Sequence, residues 1–385
     1  AFTQPSVTQC GNLPEECGAC TFFLDSGKLF RSGTAEQCSC AFGPYSVLSI
    51  VCDELTSIDT ATFQGLTDLR TLYISDTQLT SIDAPTFQDL TNLRQLNLDN
   101  NQLVRIDTGS FQGMTRLEGL NLSRNQLSSI NAGPFQGLTN LLRLFLSSNQ
   151  MTSIDGATFQ GLTDLSELYL HRNQLTSVDT ATFQGLTSLE RLELHFNRLT
   201  SIASGTFEGV TSLKYLRLDF NRLTSINATS FQGLTSLQKL VLSANQLASI
   251  DSATFQELTS LQDLELGENQ LTSIDTATFQ GLTSLRHLGL VNNQLASIGT
   301  ATFQGLRSLQ TLHLAKNQLT SINAVTFQGL TNLTLLWLCK GPFDSVFCPQ
   351  GAYYFLCPES SGCSIVCGNP PTSTAPTSCS APTTP

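Results

Sequence analysis

Four histidines, 12 cysteines and a column of aspartates are where this chain has chemistry to offer. His171 and His195 stand 24 residues apart. If that interval is one structural repeat, neighbouring strands would bring both imidazoles to a single metal ion. No further ligand set occurs at convincing spacing, so the expectation is no metal, with His171, His195, His287 and His313 as solvated or interface side chains. Asp59, Asp83, Asp107, Asp155, Asp179, Asp251 and Asp275 form another 24-residue column and raise calcium as a candidate. Capping is the simpler expectation: a short side-chain oxygen before a turn accepts backbone N–H groups, and Asn131, Asn227 and Asn323 suit the same role. Cys17-Gly-Ala-Cys20 has the spacing of a redox dithiol, but that chemistry wants a thiolate at a helix start beside a strand–helix–strand unit, and no such pattern surrounds it. There is no Gly-x-Ser-x-Gly turn, His-Glu-x-x-His pair or phosphate loop, so neither an enzyme nor a cofactor is expected.

The cysteines fall into two terminal sets, Cys10, Cys17, Cys20, Cys38, Cys40 and Cys52, then Cys339, Cys348, Cys357, Cys363, Cys367 and Cys379. Even counts at both ends point to disulfides formed in an oxidising compartment, with pairings that the sequence leaves open. Zinc is the weaker alternative, because neither set contains a histidine. The chain starts at Ala1, which is expected of a mature product whose leader is gone. A net charge of -11 argues against a broad nucleic-acid surface. No run of about 20 apolar residues is present to cross a membrane. The expected setting is extracellular.

Between the cysteine sets the sequence repeats. Phe63, Phe87, Phe111, Phe135, Phe159, Phe183, Phe207, Phe231, Phe255, Phe279, Phe303 and Phe327 recur every 24 residues and mark twelve units. A second column runs Asn101, Asn125, Asn149, Asn173, Asn197, Asn221, Asn245, Asn269, Asn293 and Asn317, with Thr77 and Gly341 at its two ends. Around each asparagine the apolar residues follow LxxLxLxxNxL, as in Leu165, Leu168, Leu170, Asn173 and Leu175, and the unit continues through Val178, Phe183 and Leu186. This resembles the leucine-rich repeat family, in its 24-residue typical form, over residues 55–338. The layout is similar to that of secreted members such as variable lymphocyte receptors.

The fold expected is an α/β repeat solenoid, a curved horseshoe with a parallel β-sheet on its concave face and disulfide-rich caps at both ends. Alternation along a strand turns Leu168 and Leu170 inward and Glu167, Tyr169 and His171 outward. One unit cannot bury its apolar side chains alone; stacked units bury them against each other. The asparagines, able to donate and accept, are expected to satisfy buried backbone groups where each strand turns. The domains expected are a cysteine-rich N-terminal region and cap (1–54), twelve repeats (55–338), a C-terminal cap (339–369) and a Pro/Thr/Ser-rich tail (370–385). Cys38-x-Cys40 followed by Cys52 resembles the family's N-terminal cap; Trp337, Leu338 and Gly341-Pro342-Phe343 resemble its C-terminal cap only loosely, without the Cys-x-Cys pair.

Outward strand positions differ from unit to unit, whereas the opposite side repeats nearly the same text, and this confinement of diversity marks the strand exterior as a recognition surface. Its sharpest patch is Arg143, Phe145, Tyr169, His171, Arg172, Arg191, His195, Phe196, Tyr215, Arg217 and Phe220, with Arg198 and Arg222 at the edge and Glu167, Glu193 and Asp219 opposing their charge. Aromatics with arginines concentrate binding energy at interfaces, which suits a protein or acidic-glycan ligand. Three N-glycosylation sequons begin at Asn121, Asn227 and Asn332. A second function class stays open: a structural subunit of an extracellular matrix, wall or filament, with copies of the chain joined through caps and tail.

Overall fold

The computed structural model describes residues 21–25, 28–32, 46–50, 52, 54–319, 322–338, 354–356 and 364–366. It is a parallel-strand solenoid of about twelve turns with almost no helix. The chain divides into two compact units, Ala1–Leu199 with Gly205–Leu213, and Thr200–Ser204 with Lys214–Pro385. Both follow one plan: a three-residue strand per turn, a tight corner, a stretch of β-turns, and return to the next strand.

In the first unit the strands Val47–Ile50, Thr71–Ile74, Gln95–Asn97, Gly119–Asn121, Arg143–Phe145, Glu167–Tyr169 and Arg191–Glu193 pair parallel and in register. The second repeats this with Tyr215–Arg217, Lys239–Val241, Asp263–Glu265, His287–Gly289, Thr311–His313 and Leu335–Trp337. Register forces like onto like: Leu168 lies beside Leu144 and Leu192, and all three are fully buried. Each such side chain contributes roughly 1.5–3 kcal/mol of burial that an isolated unit could not realise.

Two further columns complete the interior. Asn173 donates from Nδ2 to the carbonyls of Leu146 and Leu170, each at 3.0 Å, and its Oδ1 accepts the Met151 N–H at 3.1 Å. Asn245 in the second unit does the same with Leu218, Leu242 and Leu223. One carboxamide therefore ties its own turn to the preceding one. At the head of the column Thr77 donates its hydroxyl to Asn101 Oδ1. On the side away from the strands the phenylalanine rings stack, 6.2 Å apart for Phe111–Phe135 and Phe135–Phe159 and 6.0 Å for Phe183–Phe207.

On that side the chain runs as a succession of turns, and the lone described helix is the 3-10 turn Ala324–Phe327. The capping expectation holds at Asp59, Asp155, Asp179, Asp251 and Asp275, which each accept from the alanine two residues on, and at Asn323, which accepts from Val325, but not at Asp107, Asn131 or Asn227, although Gly109, Gly133 and Thr229 each carry an N–H. Asp83 makes no such bond, because the residue two positions on is Pro85, which has no N–H.

The hairpin Thr21–Asp25 and Lys28–Ser32 sits at the first turn. Its second strand pairs parallel with Ser57–Ile58, Phe22 lies 6.2 Å from Phe63, and Lys28 bridges Asp59 at 2.9 Å. In the second unit, strand Ser364–Val366 pairs antiparallel with Leu335–Trp337 and carries Tyr354–Leu356 on its other edge. Cys52 is disulfide-bonded. The other cysteines, Gly341 and residues 370–385 lie outside the described residues.

Asn245→Ala strips partners from buried carbonyl and N–H groups, so it should cost about 2 kcal/mol or more in urea unfolding followed by circular dichroism. Thr152→Ala, at an exposed site, should change stability by no more than about 0.5 kcal/mol in the same measurement.

Candidate binding face

Side chains that point away from the interior along the strands are packed against one another by the close strand spacing, about 4.8 Å. In the first unit Phe145 and Tyr169 stack face to face at 4.7 Å. His171 and His195 stack at 4.4 Å with their planes 10° apart. The Tyr169 hydroxyl donates to Glu167 Oε2, and burial together with that bond pushes its pKa up. Arg191 Nη1 lies 3.2 Å from Glu193 Oε1, while Glu193 Oε2 is 3.6 Å from Nδ1 of both histidines. His195 and Glu193 are only 6% and 9% exposed. His195, expected as a solvated or interface side chain, is buried and so not solvated: Phe196 rests edge-on against its ring at 5.5 Å, and His171 covers its face. Arg143 is half-buried on its strand.

Within the second unit Tyr215 and Arg217 share a strand, and Arg217 forks onto Asp219 with bonds of 2.9 and 2.6 Å. Asp219 is 2% exposed. Further along this face Glu265 is pushed up to about 6, by burial first and then by the neighbouring Asp263. His313, stacked on Trp337 at 4.7 Å, is pushed down by burial and by His287.

A third feature follows from the turns. The residue before each column asparagine adopts left-handed backbone, with φ of 56° at Arg172, 52° at Phe196 and 52° at Phe220. Asn100 and Asn292 fill the same place comfortably, because Asn tolerates this region; a bulky aromatic does so at a cost. Phe196 and Phe220 are 38% and 44% exposed, so burial does little to offset that cost. The Arg172 guanidinium lies over the Phe196 ring at 4.9 Å.

Sequence reasoning named the aromatics and arginines but counted Glu193 only as opposing charge; the structure makes it the hub between Arg191 and two imidazoles. It also missed a cleft in the first unit, about 360 Å³, lined by Ser46, Asp68, Arg70, Asn92, Arg94 and Arg116. The signal was there in Arg70 and Arg94, 24 residues apart. Arg94 pairs with Glu118, and Arg116 donates to Asn92 at 2.6 Å. Of the sequons, Asn227 and Asn332 are exposed, whereas Asn121 is half-buried and its Oδ1 accepts the N–H of buried Ser123.

The pattern of the family described as Leucine rich repeat matches residues 46–103, 92–151, 140–199, 188–247, 235–295 and 287–338. The chain belongs to the leucine-rich repeat family. Among solved structures, this leucine-rich repeat chain is similar to one in the Drosophila Toll–Spatzle complex, with 24% identity and a TM-score of 0.71 over 82% of this chain and 42% of that one. It thus spans less than half of that relative. It is also similar to a chain in the octameric complex of Latrophilin 3, Unc5D and FLRT2, with 25% identity and a TM-score of 0.56 over 70% of this chain and 83% of that one. A chain in the TLR13–ssRNA13 complex shares 26% identity, with a TM-score of 0.53 over 78% of this chain and 51% of that one. Comparison with curated proteins finds no match. Among the described residues no helix is long and apolar enough to cross a membrane.

Phe220→Asn relieves the left-handed backbone and should raise stability by about 1 kcal/mol in urea unfolding. Glu265 binds its proton more tightly folded than unfolded, so its contribution to stability falls as pH rises from the ordinary glutamate range through about 6. Glu265→Gln should therefore stabilise the protein by roughly 1–2 kcal/mol at pH 7 and by little at pH 4, as read from paired denaturation curves.

Proposed function

We propose that this leucine-rich repeat chain is a non-enzymatic extracellular recognition or adhesion module that binds a protein ligand on its strand face. The observation that carries the reading is the packed aromatic and arginine surface in the first unit, Phe145 on Tyr169 and Arg172 over exposed Phe196. Such a surface is rigid before binding, so little side-chain freedom is lost on contact. Relatives of the same fold appear in complexes with proteins, Toll with Spatzle and FLRT2 with Latrophilin 3 and Unc5D.

Charge separates a protein from the other ligand classes. An acidic glycan or RNA is held mainly by Lys and Arg side chains that displace the counterions condensed on the polyanion. Here Arg191 and Arg217 are already held by Glu193 and Asp219, on a chain of net charge -11. The arginines therefore serve as oriented donors within an aromatic surface, and the RNA bound by the TLR13 relative is not expected here. The proposal extends to the ends of the chain: both cysteine sets close as disulfides around the repeats, and Asn227 and Asn332 carry glycans.

Tyr169, Arg191 and Phe196 replaced together by alanine should abolish every interaction that the unaltered chain makes on an array of secreted ectodomains, with the β-rich circular dichroism spectrum unchanged. Retention of those interactions would overturn the reading. Regular fibres of the purified chain in negative stain would point instead to the structural class.

A further inference from the structure

We propose that His171, Glu193 and His195 form a binding site for a divalent transition-metal ion of the zinc class. The site does not rest on the ligand reading above, since it follows from the geometry of three side chains in the first unit alone.

The strands bring these groups together by register. Tyr169 pairs with Glu193 across the sheet, and each histidine lies two residues further along its own chain on the same face. Nδ1 of His171 and Nδ1 of His195 are both 3.6 Å from the same oxygen, Glu193 Oε2. The candidate donor atoms all lie within 4.8 Å of one another. Among the described residues, no other set of three such side chains is brought together in this way.

Protons alone serve this arrangement poorly. A separation of 3.6 Å is longer than an N–H···O hydrogen bond, which spans about 2.7–3.2 Å. Charging both imidazoles would set two cations face to face at 4.4 Å. A divalent ion suits this donor set once the imidazoles turn out of their stack so that both Nδ1 lone pairs converge on it. Tetrahedral zinc holds nitrogen and carboxylate oxygen at about 2.0–2.2 Å, which places neighbouring donors about 3.3–3.5 Å apart, close to the separations found. Two imidazoles and one carboxylate also leave a fourth position for water or for a donor from a partner.

The surroundings hold the donors in place. Arg191 engages Glu193 Oε1 at 3.2 Å and leaves Oε2 to the imidazoles. Tyr169 stands edge-on to His171 at 6.2 Å and Phe196 edge-on to His195 at 5.5 Å, so aromatic neighbours flank both rings on the strand face. With Glu193 and His195 nearly buried, an ion there is competed for by little bulk water.

The test uses the full chain, stripped with EDTA, dialysed and titrated with Zn²⁺ by calorimetry and with Co²⁺ by visible absorption. The expected result is saturable one-to-one binding with the intense Co²⁺ bands of a four-coordinate site. Binding should be lost in His171→Asn, Glu193→Gln and His195→Asn, and kept in His313→Asn. Absence of saturable binding, or equal binding by Glu193→Gln, overturns the proposal. Should a variant fail to fold, nitrogen-15 NMR of the unaltered chain decides: Zn²⁺ must shift the Nδ1 signals of two of the four histidines, and a shift of none or of all four overturns it.

Discussion

From Asn101 to Asn317 the corners of this solenoid depend on carboxamides that each belong to two turns at once. A corner where a strand ends would bury carbonyl and N–H groups with nothing to meet them, at about 1–3 kcal/mol apiece. The column asparagines answer that by donating to their own turn and the previous one while accepting from a third backbone group. Each bond reaches the same place in the previous turn, so the asparagine column fixes the corner, and the leucine and phenylalanine columns fill the space between corners.

In-register stacking of the turns shapes the outer surface of the strands. Parallel pairing in register leaves each outward side chain with neighbours above and below at strand spacing, too close for like charges and well suited to flat rings. Phe145 on Tyr169 and His171 on His195 are the favourable cases. Glu265 is the unfavourable one: burial first, and then Asp263 two residues back on its own strand, raise its carboxyl pKa. Glycine offers another way out: a Cβ at Gly289 would meet the Glu265 carboxylate at 1.8 Å, so the neighbouring unit yields its side chain to make room.

The period, the inward leucines and phenylalanines, the bonding role of the asparagines and most aspartate caps were legible, because each is a property of one column and columns are visible as spacing. Contacts that run diagonally were not. His171 meets Glu193 across 22 residues, and Arg217 meets Asp219 across two, so neither pair lines up in a comparison of units. That is why Glu193 read only as opposing charge and His195 as a solvated or interface side chain. The left-handed backbone at Phe196 and Phe220 was hidden for a different reason: the residue type argues against it, and only the corner imposed by the following asparagine requires it.

Stacking at a fixed interval has an evolutionary corollary. When one unit is copied with its imidazole or its aromatic ring, the duplicate lands at ring-stacking distance from the original, as His171 and His195 show. Two members of the three-residue cluster stand in one column, 24 residues apart, and the third, Glu193, lies on one of the same two strands. A set of this kind needs only one further side chain beside a repeated one, without any rearrangement of the backbone that carries it.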